Sequence, residues 1–351
     1  MIDEMGKIGQ GSFEQFIFNN CGYPRTEVLA GPQFGVDVSL IDLHTEMAMA
    51  LTSDPLSLIP SLGLQESAWL SVHLMANDMA TTGFAPMYGQ FVLNLPPTLS
   101  KNDFQEYWQY VHKFSSEIKV AITGGHTGFI EGQNSTIAGG GTFVTIAPKS
   151  KILLSKYANA GDIILVTKSC AISSAAILAM SFPKVVIDKV GNEIYKLACE
   201  SFYKTSSLQD ALVAVGQDLD FQEVTAMHDV TEGGVLGAIY ELTKASDNGA
   251  AIYYDQLPLA EVQTEICNLF DIDPRNCIGA GSMIITCKKE FVTNVVSRLE
   301  ASGIPCVSVG ELCGKEHGMK LIKNDEVTEF EYLEKYPYWE AFFKALKRGW
   351  K

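Results

Sequence analysis

Carboxylates, a histidine and paired glycines gather where the chain is expected to turn, most densely in Met227-His228-Asp229-Val230-Thr231-Glu232-Gly233-Gly234. A strand-like run, Glu223 to Met227, precedes this stretch and a helix-like run, Val235 to Ala245, follows it. A strand-to-helix turn offers free backbone N–H groups and lets a phosphate or a substrate oxygen come close. The same residues also read as an ordinary helix start, with Thr231 or Asp229 as cap and Glu232 in the first turn. Three further carboxylates stand at element ends. Asp37 lies in Gly35-Val36-Asp37-Val38, Asp54 ends the run Ala48 to Ser53, and Asp78 follows Asn77 on an otherwise apolar helix face. An unpaired carboxylate on such a face is costly, so Asp78 calls for a compensating cation. Gathered by the fold, the three would make a hard oxygen site suited to Mg²⁺, with phosphate oxygens completing its octahedron. Singly, each is equally a cap or turn aspartate, and spacing alone does not reveal convergence.

Gly124-Gly125-His126-Thr127-Gly128 follows a predicted strand, Val120 to Thr123. Glycines there would let backbone amides face an anion, and His126 would donate to a phosphate, carry a proton, or serve structure alone. Lys7, in Gly6-Lys7-Ile8, is either a lysine that closes over phosphates or a solvated tail residue. The Gly-x-x-x-x-Gly-Lys-[Ser/Thr] loop and the Gly-x-Gly-x-x-Gly fingerprint are both missing, so any ATP binds through another architecture. Hydrolytic triads and zinc chemistry have little support, for want of a Gly-x-Ser-x-Gly elbow, a His-Glu-x-x-His helix or a Cys-x-x-Cys pair.

The elements that must hold these residues alternate along the chain. Strands are expected at Met47–Thr52, Tyr88–Leu95, Ile137–Ile146, Ile163–Val166, Ala250–Tyr254, Met283–Cys287 and Cys306–Val309. Helices are expected over Ser67–Thr82, after a capping box at Ser100-Lys101-Asn102-Asp103, and over Ser173–Met180, Val235–Ala245, Val262–Leu269 and Glu290–Ala301. A turn near Ala158-Asn159-Ala160-Gly161-Asp162 marks a domain boundary. The expected division is 1–158, 159–331 and an amphipathic helical tail, 332–351, that packs or makes a subunit contact.

With 351 residues, 47% hydrophobic and 19% charged, the chain has the size and composition of a two-domain globular protein. A net charge of −15 argues against a nucleic-acid partner and requires a divalent cation between acidic residues and any polyphosphate. The start, Met1-Ile2-Asp3-Glu4, lacks the apolar core of a signal peptide, and the run Cys170 to Phe182 is too short and serine-rich to span a bilayer. Eight scattered cysteines read as free thiols in a reducing cytosol, so a cytoplasmic location is expected.

In order, these segments resemble the aminoimidazole ribonucleotide (AIR) synthase superfamily, and within it the HypE and AIR synthase-related proteins. The motifs are Gly6-Lys7-Ile8, Gly35-Val36-Asp37-Val38, Leu51-Thr52-Ser53-Asp54, Asn77-Asp78-Met79-Ala80 with Gly83 and Pro86, Thr123-Gly124-Gly125-His126-Thr127 and His228-Asp229-Val230-Thr231-Glu232-Gly233-Gly234. The resemblance implies a PurM-like α/β and α+β fold of two domains, the first forming a β-barrel with a second subunit of a homodimer. It implies ATP and Mg²⁺ as cofactors, with Asp37, Asp54 and Asp78 on the metal. Asn77, Gly124, Gly125, His126, Thr127, Thr231 and Gly233 would contact the nucleotide, and Lys7, His126 and Asp229 would take part in catalysis. The implied activity is that of an ATP-dependent ligase or transferase that phosphorylates an oxygen of a small or protein-borne acceptor, in hydrogenase or other metalloenzyme maturation. The alternatives are a small-molecule kinase like thiamine-monophosphate kinase, or a nucleotide-binding maturation subunit without turnover. Two departures stand out. The C-terminal Pro-Arg-x-Cys tail of HypE is missing, since the last residues are Lys347-Arg348-Gly349-Trp350-Lys351, and Val36 replaces the first aspartate of a frequent Asp-Asp pair.

Overall fold

Alternating burial along Tyr88–Leu95 shows how the first sheet is built. Gly89, Phe91, Leu93 and Leu95 point inward, while Tyr88, Gln90 and Val92 face out. In the computed structural model, which describes residues 7–216, 223–333 and 336–351, this strand belongs to a six-stranded sheet. Its members are β1 (Val28–Ala30), β2 (Ser39–Asp42), β3 (Met47–Ser57), β4 (Tyr88–Leu95), β5 (Ala121–Phe129) and β6 (Ile137–Pro148), in the order β1-β2-β3-β6-β4-β5. Only β4 and β5 run parallel within it.

After a short α1 (Gln10–Phe13), the helices α2 (Leu64–Ala80) and α3 (Lys101–Glu117) cover one face of this sheet. The Ser100 hydroxyl caps α3 by accepting from the Asp103 N–H at 3.0 Å, as the capping box predicts. The opposite face carries Tyr88, Val92 and Ile146, each more than a third exposed.

The second sheet has seven strands: β7 (Ile163–Thr167), β8 (Val224–Asp229), β9 (Gly249–Tyr253), β10 (Met283–Cys287), β11 (Cys306–Cys313), β12 (Met319–Lys323) and β13 (Glu326–Glu329). Their order is β13-β12-β9-β11-β7-β10-β8, antiparallel except for β12 beside β9. Around it lie α4 (Ile172–Ser181), α5 (Pro183–Val190), α6 (Asn192–Ser201), α7 (Leu208–Val215), α8 (Gly234–Ala245), α9 (Glu261–Leu269), α10 (Val292–Ala301) and α11 (Pro337–Lys347). Two α/β units therefore share the chain, one sheet drawn from residues 28–148 and the other from 163–329. All eight cysteines are unpaired, five of them buried. Among the described residues, no helix is long and apolar enough to cross a membrane. Met1 to Gly6, including the glycine of Gly6-Lys7 and the start read against a signal peptide, lie outside the described residues.

Three side chains of α2, spaced four residues apart, join the two units. Trp69 Nε1 donates to Thr205 Oγ1 at 2.9 Å, and His73 Nδ1 lies 2.9 Å from Ser206 Oγ. Asn77 Nδ2 donates to the Thr205 carbonyl at 2.9 Å, and the Ser207 N–H donates to Asn77 Oδ1 at 2.7 Å. This corrects the nucleotide-contacting role expected of Asn77. Its side chain is wholly buried and both ends of its amide serve the seam between the units. Asn77→Ala leaves a buried carbonyl and a buried N–H unpaired. We expect a loss of about 1–3 kcal/mol, read as a lower denaturation midpoint with unchanged slope in urea unfolding.

Candidate active site

Two turns from different units carry acidic side chains to one place on the seam. Asp37 precedes β2 and follows Gly35, whose φ is +74°. A Cβ at Gly35 would sit 2.3 Å from the Glu241 carbonyl oxygen, so only glycine lets the first unit approach α8 this closely. Asp54 lies in β3 and Asp78 near the end of α2, where Thr52 Oγ1 donates to Asp78 Oδ2 at 2.8 Å. Asp229 is the last residue of β8. The turn after it starts α8 without any side-chain cap, so neither Asp229 nor Thr231 is spent on capping. Asp37, Asp54 and Asp78 keep partial access to solvent, while His228, Asp229 and Glu241 are buried.

The ligand atoms of Asp37, His228 and Asp229 all lie within 4.8 Å of one another. His228 Nδ1 is 2.7 Å from Asp37 Oδ2, and its Nε2 is 3.5 Å from Glu241 Oε2. The Nδ1 is also 3.3 Å from Ser155 Oγ. Asp37 Oδ2 therefore has a close charge contact and yet no well-directed hydrogen bond, which leaves it open to a further cation. Lys7 reaches the same place. Its Nζ is 2.8 Å from Glu241 Oε2, and its backbone N–H donates to Glu232 Oε2 at 2.6 Å. It is a paired residue and not a solvated tail.

The charges act on one another across the group. Burial, then the neighbouring charges of Asp229, Asp54 and Asp37, push Asp78 well above the usual carboxylate range. Burial raises Asp54 to about 6, with Glu232 and Asp37 adding to it and Lys7 opposing. Burial and Asp37 raise Asp229 to about 8, against the pull of His228 and Lys7. Burial alone would lower His228, but Asp37 and Glu241 outweigh it and lift the imidazole to about 10, so it is an imidazolium at neutral pH. Burial alone would raise Glu241, but Lys7 and His228 bring it down to about 2. Asp37, Asp54, Asp78 and Asp229 thus feel one another's charge, but among the described residues only Asp37 and Asp229, with His228, bring ligand atoms within 4.8 Å of one another; Asp54 and Asp78, expected beside Asp37 on a metal, are not part of that group. Lys7 and His228 are the cations that oppose these shifts, and the crowding that remains is met by Asp78 and Asp229 holding their protons more tightly. Oxygen donors, partial access and an unsatisfied Asp37 oxygen fit a hard divalent cation such as Mg²⁺.

Other predicted site residues lie elsewhere. Gly124, Gly125, His126 and Thr127 do not form a loop. They continue β5, the exposed edge strand of the first sheet. Asp54 pairs with Gly141, Gly141 with Phe91, and Phe91 with Gly125. Gly125 therefore shares a row with Asp54 at three strand spacings, about 14 Å away. Thr231 and Gly233 are half-buried in the turn before α8, where the Thr231 carbonyl accepts from the N–H groups of Gly234 and Gly279, both at 3.1 Å. Glu232, Glu241 and the charged role of His228 were missed from the sequence. Glu241 carried a readable signal, since it is a carboxylate inside the apolar helix run Val235–Ala245, the same signal that marked Asp78.

The family model described as AIR synthase related protein, N-terminal domain, matches residues 35–147, and the C-terminal domain model matches residues 159–321. A putative hydrogenase expression/formation protein of Methanocaldococcus jannaschii is 23% identical over 226 residues. That match covers 63% of this chain and 62% of the relative, so the chain spans less than two thirds of that protein. The crystal structure of the hydrogenase maturation protein HypE in complex with ATP superposes with a TM-score of 0.68 at 16% identity, covering 95% of this chain and 98% of that one. AaThiL complexed with AMPPCP and TMP gives 0.66 at 16% identity, covering 86% and 90%, and the crystal structure of thiamine monophosphate kinase from Aquifex aeolicus gives 0.63 at 15% identity, covering 84% and 93%. These likenesses establish the two-domain PurM-like fold.

A raised carboxylate makes the folded state hold protons that the unfolded chain has released. Its contribution to stability therefore falls as pH climbs from the ordinary 3.8 toward about 8. A bound divalent cation displaces those protons. Mg²⁺ should accordingly raise the melting temperature more at pH about 8 than at about 5, and Asp54→Asn should shrink that difference. Equal shifts at both values, measured by calorimetry, would contradict a cation site here.

Proposed function

The chain belongs to the AIR synthase related family, and from that premise we propose an ATP- and Mg²⁺-dependent enzyme that phosphorylates an oxygen of a small or protein-borne acceptor. One observation supports this reading: Asp37 from the first unit and Asp229 from the second bring ligand atoms within 4.8 Å of one another, and their charges reach Asp54 and Asp78. Asp37, Asp54 and Asp78 would hold Mg²⁺, which would neutralise charge on the transferring phosphoryl group.

The chain's own residues supply the rest. Lys7 turns its ammonium from Glu241 to the phosphate oxygens when nucleotide enters. His228, held between Asp37 and Glu241, fixes the orientation of the Asp37 carboxylate. Asp229, raised to about 8, accepts the proton of the acceptor as its oxygen attacks the γ-phosphorus. The bond between the γ-phosphorus and the bridging oxygen breaks, and ADP leaves. Thr231 and Gly233 line the cleft from the second unit. Gly124, Gly125, His126 and Thr127 meet the nucleotide from the exposed edge of β5, a separation from Asp54 that an extended nucleoside triphosphate can bridge.

The hydrogenase-related name of one curated relative supports maturation of a metalloenzyme as the setting. The AaThiL complex supports a small-molecule kinase as the second reading. Homodimerisation through the first unit is part of the proposal. It is supported by the uncovered sheet face with Tyr88, Val92 and Ile146.

Asp78→Asn should cut ADP release by at least about a hundredfold while the melting temperature holds, because a neutral amide of the same size replaces a carboxyl that burial and its neighbours already push toward the neutral form. Turnover at the wild-type rate would overturn the metal assignment. Assaying ADP release with small-molecule acceptors, thiamine monophosphate among them, and with peptide-borne acceptors separates the two readings. Light scattering should return a dimer for the wild type and a monomer for Val92→Asp. A monomeric wild type at micromolar concentration would end the dimer proposal.

A further inference from the structure

Away from the acidic site, a lysine sits inside a shell of oxygens. Lys168 follows β7 in a left-handed backbone conformation, φ +58°, which non-glycine residues adopt only when their surroundings fix them. Its Nζ lies 2.7 Å from the Ser206 carbonyl, 2.9 Å from the Gly281 carbonyl and 3.3 Å from the Lys204 carbonyl. Asp210 Oδ2, on α7, is 2.9 Å away. Asp210 is buried, its side chain 2% exposed, and the Lys168 side chain is 15% exposed. A Cβ at Gly281 would meet the Lys204 carbonyl oxygen at 2.5 Å, so glycine at 281 lets the shell close.

An ammonium has three protons, yet four oxygens from three separate stretches of chain surround this one. That is the coordination of an ion more than a set of directed hydrogen bonds. The distances, 2.7–3.3 Å, exceed the ~2.3–2.6 Å of calcium and the ~2.0–2.1 Å of magnesium. The shell therefore suits a large monovalent cation. We infer that Lys168 is a tethered monovalent cation, and that its removal opens a site for potassium or ammonium. The Lys204–Ser207 turn that the shell gathers is the same turn that receives Trp69, His73 and Asn77 from α2. Asp78 is the next residue after Asn77. Lys168 is thereby a positioning residue for the seam and does not itself touch the acidic group.

The experiment compares Lys168→Ala and Lys168→Met with the full-length wild type in potassium, ammonium, sodium and choline chlorides at equal ionic strength, so that screening is held constant. In choline, Lys168→Ala should melt several degrees below the wild type. Potassium and ammonium should each return at least half of that loss, through linkage of ion binding to folding, while sodium and choline should not. Lys168→Met fills the same space with an uncharged stem and should gain nothing from any salt. An alanine variant as stable as the wild type overturns the inference. So does a loss that all four salts repair alike, or that none repairs. If the alanine variant does not fold in choline, it is refolded from urea in potassium and in choline, and failure in both has the same meaning.

Discussion

Like charges crowded at a seam between two packed units are the constraint on which the rest of this structure turns. Asp37 comes from the turn before β2, Asp54 from β3, Asp78 from α2 and Asp229 from β8, and the charge of Asp37 raises the cost of ionising the other three. Left alone, such a group would push the units apart. Lys7 and His228 hold it together from the two sides, the one on the N-terminal segment and the other at the end of β8. Glu241, buried on α8, meets both cations and ties them to the second unit. The arrangement is stable enough to fold and acidic enough to want one more positive charge. His228 contributes stability fully below its ordinary 6.5 and loses it as pH rises through about 10, so this support is in place across the neutral range.

Much of the framework was legible because local pattern and tertiary role agree. Tyr88–Leu95 and Met283–Cys287 are strands over the predicted residues, one by alternation and the other by a short fully buried apolar run. Ser100 caps its helix as the local sequence requires. The helices over Pro183–Val190, Asn192–Ser201 and Leu208–Val215 were not read, since each is short and only partly apolar and takes its place from packing against neighbours. Gly124-Gly125-His126-Thr127 reads as a loop by composition but is drawn into β5 by parallel pairing with β4, a long-range contact that no local rule reports.

The site shows the same division. The aspartates were visible as residues that sit badly in their local surroundings. Their convergence was not, because it depends on Gly35 letting one backbone pass close to another 206 residues further along the chain (241 less 35). Asn77 misled for the opposite reason. Beside Asp78 it looks like a ligand group, and only the three-dimensional structure shows its amide fully used in joining Thr205 and Ser207. His228 was read as part of a motif without a role, because two carboxylate partners from distant segments give it one.

The Trp69-His73-Asn77 stripe has a mechanical meaning. One rigid rod carries both the rivets of the seam and, one position beyond the last of them, an aspartate of the acidic group. The two units therefore cannot swing open like a clamshell without dragging that aspartate away from its companions. Any change of spacing along the seam is therefore felt at once as a change of spacing among the carboxylates.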